Sequence, residues 1–437
     1  MGLLSFKGGI HPPHSKKSTE NLPIVDYLEP KIVEIPLRQH IGAPCEPVVE
    51  KGEHVKVGQL IGKAGSFVSA NIHSSVSGTV VDVKRMNTAY GFDVCVIIEN
   101  DMKNDLHETV KPKPDYKTLS NKEIIDIIKD AGLVGMGGAG FPTHVKLSPP
   151  PEKKIDTVIL NGAECEPYLT CDHRLMLESP KKVVLGLQII MKALDVSTGF
   201  IGIENNKPDA LETMKKAAEG TGIQVVALRT KYPQGAEKQL IYACTQREVP
   251  SGGLPMEAGV VVNNVATAAT IADVFTTGMP LIERICTVTG GAIKTPKNIR
   301  FKVGTSLKEL IDFSGGYNGT PEKILLGGPM MGVAQMTDQL PAMKNTSGVL
   351  VFTKEEAKIP EATACIKCGK CVSVCPAFLE PIQISAYTLL HNYDKAAAYK
   401  ALDCIECGSC SFVCPSKRPL LASIRVAKRE IIARKKK

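Results

Sequence analysis

The sequence has 437 residues, with 53 lysines and arginines against 45 aspartates and glutamates, which gives a formal net charge of +8. Its 43% hydrophobic and 22% charged residues are typical of folded proteins and exclude a disordered or collagen-like chain. At roughly 150 residues per domain, we expect about three domains. The charge excess lies in residues 417–437, so the remaining body is neutral and no broad basic face for nucleic acid is indicated.

The sequence contains no recognisable membrane or export segment. No stretch approaches the roughly 18 to 20 uninterrupted apolar residues that a membrane-spanning helix requires. Residues 1–9 lack the apolar core of a secretory signal. We therefore expect a cytosolic protein, or one bound peripherally to the cytosolic face of a membrane.

An N-terminal arm, residues 1–27, precedes a segment, residues 28–100, that is rich in Val, Ile and Gly. Short alternating stretches separated by glycines predict a small barrel-sandwich domain. Residues 51–59 and 76–80 resemble the corresponding stretches of biotinyl and lipoyl carrier domains, which place a modifiable lysine at the hairpin tip between them. Residues 70–74 occupy that place here and contain no lysine, so we expect the barrel without a swinging arm.

A polar linker, residues 101–117, leads into residues 118–283, where strand-like and helix-like stretches alternate. Ser120 and Glu123 have the spacing of a capping box at the start of the first helix. The alternation predicts a Rossmann-like α/β domain whose sheet is connected by crossover helices.

The pattern changes again at residues 284–347, which carry short strands and one helix and resemble a β-grasp ligand-binding module. Its paired glycines are consistent with plain turns and with a binding lip, and both interpretations stay open. Residues 348–363 are predicted as a connector. The predicted protein is thus a multidomain α/β chain.

Eight of the 14 cysteines form two copies of the pattern C-x2-C-x2-C-x3-C-P within residues 364–418. The first copy consists of Cys365, Cys368, Cys371 and Cys375, and the second of Cys404, Cys407, Cys410 and Cys414. Bacterial two-cluster ferredoxins hold two [4Fe–4S] clusters by this run, and the fourth cysteine of each run ligates the other cluster. We therefore predict a helical two-cluster ferredoxin domain in which Cys414 completes the first set and Cys375 the second. Zinc sites or disulfides are the alternatives, but zinc gives no reason for two identical runs, and no secretory signal is present.

The C-terminal segment, residues 419–437, is predicted to form a basic amphipathic helix. Leu420, Ile424, Ala427 and Ile431 have helical spacing, and the segment ends in three lysines. Such a helix either frays in solvent or lies on anionic lipid or an acidic partner. The second interpretation suits a peripheral subunit.

Residues 135–140 form a glycine loop that matches G-x-G-x-x-G at Gly135, Gly137 and Gly140. The dinucleotide fingerprint follows a strand and opens a helix, whereas this loop follows a predicted helix and precedes Phe141 and Pro142. Closely spaced glycines nevertheless allow backbone amides to approach a phosphate or a ring. On these residues alone, a structural turn and a ligand cradle are equally supported.

The surrounding motifs favour the cradle. Residues 135–146, 161–164, 232–237 and 262–267 resemble, in that order, the FMN- and NADH-binding motifs of the flavoprotein subunit of respiratory complex I. Together with residues 6–13, the carrier-like barrel, the β-grasp module and the twin cysteine runs, they make the whole chain resemble the C subunits of Rnf-type ion-translocating ferredoxin:NAD oxidoreductases.

The resemblance implies a set of residues that hold FMN. They are Gly135, Gly137, Gly138, Gly140, Lys146, Asn161, Glu164, Asn263, Asn264 and Thr267. The glycines would pass close to the flavin, Asn161 and Glu164 would line its pocket, and Lys146 would reach its phosphate. The last three residues of the set would bind the phosphate and the ribityl chain.

The resemblance also implies a site for NADH. Phe141 would stack on the adenine, and Tyr232, Gly235 and Glu237 would form the wall beside the nicotinamide. Met136, Ala163 and Ala236 stand where the complex I pattern has Arg, Asp and Glu, so fewer charged contacts to the nucleotide are expected.

The function implied is that of an NAD-dependent ferredoxin oxidoreductase subunit with FMN, NAD(H) and two [4Fe–4S] clusters. Because a flavin exchanges hydride with NAD(H) and single electrons with clusters, no side chain need act as a catalytic nucleophile or acid. Ferredoxin would act indirectly, through a ferredoxin-type iron–sulfur partner, and integral membrane subunits would carry the ions. The chain would be peripheral, on the cytoplasmic face of the inner membrane. Two alternatives stay open: a flavin and iron–sulfur cobalamin reductase of a bacterial microcompartment, and a flavin-free electron-relay or docking subunit.

Overall fold

The computed structural model describes residues 3–138 and 140–435. The N-terminal arm ends in a short strand, β1 (Ile24–Tyr27), which pairs in parallel with a strand of the third domain. The barrel-sandwich domain follows with β2 (Ile32–Pro36), β3 (Cys45–Pro47), β4 (His54–Val55), β5 (Leu60–Ala64), β6 (Ile72–His73), β7 (Gly78–Thr88) and β8 (Gly91–Asn100). One sheet has the order β2-β8-β7-β4 and the other β3-β5-β6, and their apolar faces enclose a common core.

The second domain is a four-stranded parallel sheet with flanking helices. Its elements are α1 (Asn121–Asp130), α2 (Thr143–Lys146), β9 (Thr157–Gly162), α3 (Cys171–Glu178), α4 (Pro180–Leu194), β10 (Thr198–Glu204), α5 (Pro208–Ala217), β11 (Gln224–Leu228), α6 (Glu237–Thr245), β12 (Val260–Asn264) and α7 (Val265–Thr277). The strand order is β11-β10-β9-β12, and Ser120 and Glu123 form the predicted capping box. Ligands of open parallel sheets bind at the carboxyl ends of the strands, where β9 and β12 lie side by side here.

The third domain is built on a six-stranded sheet. Its elements are β13 (Glu283–Thr289), β14 (Lys297–Lys302), α8 (Leu307–Phe313), β15 (Lys323–Leu326), β16 (Val333–Gln335) and β17 (Gly348–Phe352). The strand order is β1-β14-β13-β17-β15-β16. Because β17 is fully buried and pairs with β13 and β15, the predicted boundary at residue 347 is too early, and the segment 348–363 is only in part a connector.

The cysteine runs lie in a small helical domain. Its helices are α9 (Lys370–Ser373), α10 (Pro381–Leu389), α11 (Tyr393–Ala398), α12 (Ser409–Phe412) and α13 (Leu420–Lys435). Gly369 and Gly408 precede α9 and α12 in the left-handed conformation, so the two runs turn in the same way.

The C-terminal helix α13 forms as predicted, but its apolar face packs inside the protein. This face consists of Leu420, Ile424, Ala427 and Ile431, which are all buried, and the last three share one core with residues of α10 and α11. It is therefore not available to a lipid surface, which corrects the expectation of a helix lying on the membrane through this face. Two of the basic side chains, Arg425 and Lys428, pair with Glu406 of the cysteine domain. Lysines 436 and 437 lie outside the described residues.

Within the described part of the chain, none of the helices is long and apolar enough to cross a membrane.

The hairpin tip that carries the modified lysine in carrier domains is buried here. Ile72 and His73 are enclosed, and the Asn71 carbonyl accepts a hydrogen bond of 2.8 Å from Lys344 Nζ. The same ammonium group donates to the carbonyl of Gly132, just after α1, at 2.8 Å. The tip is thus locked between two other parts of the protein, as expected for a barrel without a swinging arm.

Candidate functional site

The glycine loop lies against the N-terminal end of α7. The Met136 amide donates to Thr267 Oγ1 at 3.1 Å, and a Cβ on Gly137 would lie 2.9 Å from Asn264 Nδ2. A side chain at position 137 would therefore displace Asn264. A Cβ built on Gly138 would have no described atom within 4 Å, so a ligand can approach this side of the backbone, while the Gly138 carbonyl lies 3.5 Å from Asn345 Nδ2. Ala139 lies outside the described residues.

The end of the loop packs on the barrel. Gly140 has a φ of +69°, and a Cβ there would lie 3.0 Å from the Gln39 carbonyl. The Gly135 amide donates to the Phe141 carbonyl at 2.8 Å and closes the loop. Phe141 itself is half-buried. The described residues at both ends of the loop are thus held by contacts to other parts of the protein.

Two neighbouring asparagines end β12 with different surroundings. Asn264 caps α7: its Oδ1 accepts from the Ala266 amide at 2.8 Å, and its Nδ2 donates to Asp172 Oδ2 at 2.7 Å. Both ends of its amide thus have protein partners, and the bond expected from Asn264 to FMN stays a prediction, since Nδ2 carries a second hydrogen and Oδ1 a second lone pair. Asn263 differs, because its buried Nδ2 has no partner among the described residues. An unpaired buried donor is costly, so Asn263 fits the role of a flavin ligand.

Asn161 and Gly235 join the loops after β9 and β11. Asn161 Nδ2 donates to the Gly235 carbonyl at 2.8 Å, and its Oδ1 accepts from the Ala163 amide at 3.1 Å. Gln234, next to Gly235, is fully buried, and neither atom of its amide has a partner in the described chain. Gln234 therefore offers a second unpaired amide in this region, which the sequence reasoning missed although it lies within a recognised stretch.

The carboxylates of Glu164 and Glu166 are enclosed by the protein. The Glu164 side chain is 3% exposed. Its carboxylate accepts from the Asp172 amide at 2.7 Å at the N-terminal end of α3, where the helix dipole favours a negative charge. The Glu166 carboxylate accepts from the amides of Met330 and Met331 at 3.0 and 2.9 Å and ties the loop to the third domain. Burial raises the pKa of Glu166 to about 7.

Two buried lysines hold the backbone of the same loop. Lys16 Nζ, from the N-terminal arm, donates to the carbonyls of Glu164 and Glu166 at 2.9 Å each and to the carbonyl of Leu169. Lys207 Nζ donates to the Ala163 carbonyl at 2.7 Å. Burial lowers the pKa of Lys16. Neither lysine has a local signal in the sequence, because each is more than 40 positions from its partners in this loop.

Lys146, expected at the FMN phosphate, and Glu237, expected beside the nicotinamide, pair with each other in this structure. Lys146 Nζ lies 3.0 Å from Glu237 Oε1 and 2.9 Å from the Val262 carbonyl. Their side chains are 29% and 39% exposed. Because such a half-exposed pair contributes little to stability, a ligand anion can exchange with the carboxylate at small cost.

Four cysteines from both runs line one cavity in the helical domain. Cys375 from the first run and Cys404, Cys407 and Cys410 from the second lie on the wall of this cavity. Backbone amides point at the sulfurs, from Leu379 to Cys375 Sγ at 3.3 Å and from Glu406 to Cys404 Sγ at 3.4 Å. Four thiols with amide donors around a cavity are a donor set suited to a [4Fe–4S] cluster. We call these four residues the inner cysteine set.

The remaining four cysteines form the outer cysteine set, nearer the surface. Cys365 and Cys368 are exposed, and Cys371 and Cys414 are half-buried. Burial raises the pKa of Cys371, and the nearby Cys414 adds to this effect. The amide-to-sulfur contacts recur here, from Lys367 to Cys365 Sγ and from Arg418 to Cys414 Sγ at 3.4 Å each.

The inner cysteine set lies directly against the α/β domain. The Tyr232 hydroxyl, fully buried, donates to the Cys407 carbonyl at 2.8 Å. Gln239 Nε2, on α6, donates to the Pro376 carbonyl at 3.1 Å, and the Gly9 amide of the arm donates to the Val374 carbonyl at 2.8 Å. Tyr232, which was expected beside the nicotinamide, thus places its hydroxyl on the side of the cysteines.

Known protein families match the chain domain by domain. Residues 4–103 match the RnfC barrel sandwich hybrid domain, 128–273 the Nuo51 FMN-binding domain, 285–334 the SLBB domain and 357–415 the 4Fe-4S dicluster domain. These four matches agree with the four predicted folding units and their order.

Curated relatives match the whole chain. The C subunit of a Na(+)-translocating ferredoxin:NAD(+) oxidoreductase complex from Acetobacterium woodii is 52% identical over 99% of this chain and 98% of its own. The chain belongs to the RnfC family, the C subunits of ion-translocating ferredoxin:NAD(+) oxidoreductase complexes. A proton-translocating member from Clostridium ljungdahlii is 55% identical over 88% of this chain and 84% of its own. The C subunit of an ion-translocating oxidoreductase complex from Rhodobacter capsulatus is 41% identical over 98% of this chain and 84% of its own.

A solved structure shares the fold of this RnfC family member. An NAD+-reducing [NiFe]-hydrogenase in the air-oxidized state aligns with a TM-score of 0.51 at 19% identity, covering 74% of this chain and 62% of the hydrogenase chain. At this identity the likeness concerns the fold alone.

Proposed function

We propose that this chain is the electron-transfer subunit that exchanges hydride with NAD(H) at FMN and passes single electrons through two [4Fe–4S] clusters. The observation that carries the proposal is the junction between Tyr232 and Cys407, where a loop of the FMN-binding domain holds the backbone of the inner cysteine set at 2.8 Å. It brings the flavin domain and the inner set into direct contact.

The residues around the cradle support FMN. The glycine loop leaves open space at Gly138, and Asn263 and Gln234 offer buried amide groups that have no partner among the described residues. Bound there, FMN would supply the conversion between hydride transfer and one-electron transfer. The protein would hold and orient the flavin, since no side chain is required to act as a nucleophile.

The two cysteine sets support an ordered path. The inner set contacts the FMN-binding domain, whereas Cys365 and Cys368 of the outer set are exposed. An electron would therefore pass between the flavin and the surface through the inner set first and the outer set second. The exposed set suits exchange with a ferredoxin-type iron–sulfur subunit, and the curated relatives are subunits of such multi-subunit complexes.

Anaerobically purified protein loaded with iron–sulfur clusters and FMN tests this proposal. NADH should bleach the flavin absorbance and produce the electron paramagnetic resonance signals of two reduced clusters. Asn263→Ala should raise the Kd for FMN about tenfold, which corresponds to 1.4 kcal/mol. Asn318→Ala, an exposed amide in the third domain, is the matched control and should leave it unchanged. Protein that binds no FMN, or whose bound flavin NADH cannot bleach, would refute the proposal.

We further propose that the protein binds peripherally at the cytoplasmic face of the inner membrane, because NAD(H) and ferredoxin are cytoplasmic reactants. Membrane vesicles of known orientation test this placement. Protease added outside should cleave the chain in inverted vesicles and spare it in right-side-out vesicles, and the opposite pattern would contradict the assignment. Washing with alkaline carbonate should release a peripheral protein from either preparation.

A further inference from the structure

Met136, at the start of the glycine loop, is held through both its backbone N–H and its carbonyl. The Met136 amide donates to Thr267 Oγ1 at 3.1 Å, and the Met136 carbonyl accepts from Arg284 Nη2 at 3.1 Å. Thr267 belongs to α7 of the FMN-binding domain, whereas Arg284 lies on β13 of the third domain. The position of the loop therefore depends on a side chain from a different domain.

Holding the Met136 carbonyl also orients the next amide. In a trans peptide, the carbonyl of one residue and the N–H of the following residue point in opposite directions. Because the Met136 carbonyl points at Arg284, the Gly137 N–H points away from it. This N–H has no acceptor among the described residues, and the next residue, Gly138, borders open space.

The surroundings of this amide favour an anion. The loop lies at the N-terminal end of α7, a helix of 13 residues whose dipole attracts negative charge. Arg284 adds a full positive charge that is only 3% exposed, and its Nε has no partner within the described chain. Two carboxylates also lie here: Asp172 Oδ2 accepts from Asn264, the buried Asp172 Oδ1 has no partner among the described residues, and Glu164 lies within 4.8 Å of Asp172. The charge of Arg284 offsets that of Asp172.

We propose that Arg284 is a positioning residue of the flavin site, which holds the Met136 carbonyl so that the Gly137 amide binds the phosphate of FMN. This inference rests on the proposed function and deepens it. It assigns to the third domain a part in flavin binding, through a contact to the backbone and not to the flavin ring. The phosphate is the group that distinguishes FMN from riboflavin, so the contribution of Arg284 should depend on it.

Flavin binding to the full-length, cluster-loaded protein tests the inference, with FMN and riboflavin as probes and fluorescence quenching as the readout. Arg284→Met should raise the Kd for FMN about tenfold and change the Kd for riboflavin less than about twofold. Arg284→Lys keeps the charge but lacks the planar donor group, and should lie between the wild type and Arg284→Met. Arg300→Met is the matched control, because Arg300 lies on the neighbouring strand β14, is 37% exposed, and should leave both values unchanged.

The outcomes separate this inference from the function on which it rests. Wild-type protein that binds no FMN defeats the proposed function itself. Wild-type protein that binds FMN, together with an Arg284→Met variant whose two Kd values rise equally or stay unchanged, overturns only the role of Arg284. Should Arg284→Met fail to fold, Arg284→Lys decides: a fall of at least about threefold in the preference for FMN over riboflavin supports the inference, and an unchanged preference overturns it.

Discussion

Replacing Lys344 by methionine should remove a pH dependence of stability at the centre of the protein. The ammonium group of Lys344 is fully buried and donates to the carbonyls of Asn71 and Gly132, at 2.8 Å each. Burial lowers its pKa from 10.5 to about 7. Between these two values the unfolded chain binds one proton more than the folded protein, so stability must rise as the pH is raised through this window.

The size of the effect follows from the two pKa values. For each pH unit over which the unfolded state binds one proton more than the folded state, the free energy of unfolding rises by about 1.4 kcal/mol. Because Lys344 is half-protonated in the folded protein at pH 7, its contribution to the free energy of unfolding should rise by about 2 kcal/mol between pH 7 and pH 9. Lys344→Met lacks this titrating group, so between pH 7 and pH 9 the free energy of unfolding of the wild type should rise by about 2 kcal/mol relative to that of the variant.

Urea-induced unfolding of the cluster-loaded protein, followed by circular dichroism at pH 7, 8 and 9, measures this gain. Lys354→Met, which changes an exposed lysine, is the control and should follow the wild type at each pH. Parallel pH curves for the wild type and Lys344→Met would refute the reasoning, because the buried ammonium group would then not change its proton affinity on folding.

Three further changes test the flavin loop and its junction with the cysteine domain. Lys16→Met should weaken FMN binding at least about tenfold in fluorescence titrations, because three loop carbonyls lose their hydrogen-bond donor. The control, Lys17→Met, should bind FMN as the wild type does. Equal FMN affinities of the two variants would contradict this prediction. In Tyr232→Phe the Cys407 carbonyl loses its hydrogen-bond donor, so the junction should be destabilised by about 1–2 kcal/mol. Cluster absorbance should then be lost at a lower urea concentration than in the wild type, and an unchanged urea midpoint would contradict the prediction. Deletion of residues 420–437 should lower the content of both clusters, measured by electron paramagnetic resonance. Each large apolar side chain that is lost from the core contributes about 1.5–3 kcal/mol to the stability of the cysteine domain. Full cluster content in the deletion variant would be inconsistent with the packing of α13.

Most secondary structure followed from local patterns. The helix-like stretches of residues 118–283 include α4 (Pro180–Leu194), and the one helix expected in residues 284–347 is α8 (Leu307–Phe313). Such elements are predictable because their apolar spacing and capping residues act within a few positions. The strand β17 was missed because it stands alone between irregular stretches, and only its pairing with β13 and β15 makes it part of the sheet.

The apolar stripe of α13 shows a different limit of sequence reasoning. Leu420, Ile424, Ala427 and Ile431 have the spacing of an amphipathic helix, but this spacing is the same whether the face meets lipid or a protein core. The structure places the face in the core of the cysteine domain. Hydrophobic periodicity identifies that a face is buried, whereas what buries it depends on the tertiary fold.

The residues that were missed in the site share one property. Lys16, Lys207, Arg284 and Lys344 are buried cations that donate to backbone carbonyls, and three of them lie outside the FMN-binding domain. A buried ammonium or guanidinium group is costly unless it is hydrogen-bonded, so each of these contacts requires its two parts of the chain to fold together. The arm, through Lys16, and the third domain, through Arg284, thus each supply a donor that holds a loop of the flavin site, whereas Lys344 joins the barrel to the end of α1. It follows that the flavin site is a property of the whole protein, and the isolated segment 118–283 should hold FMN less tightly than the full chain.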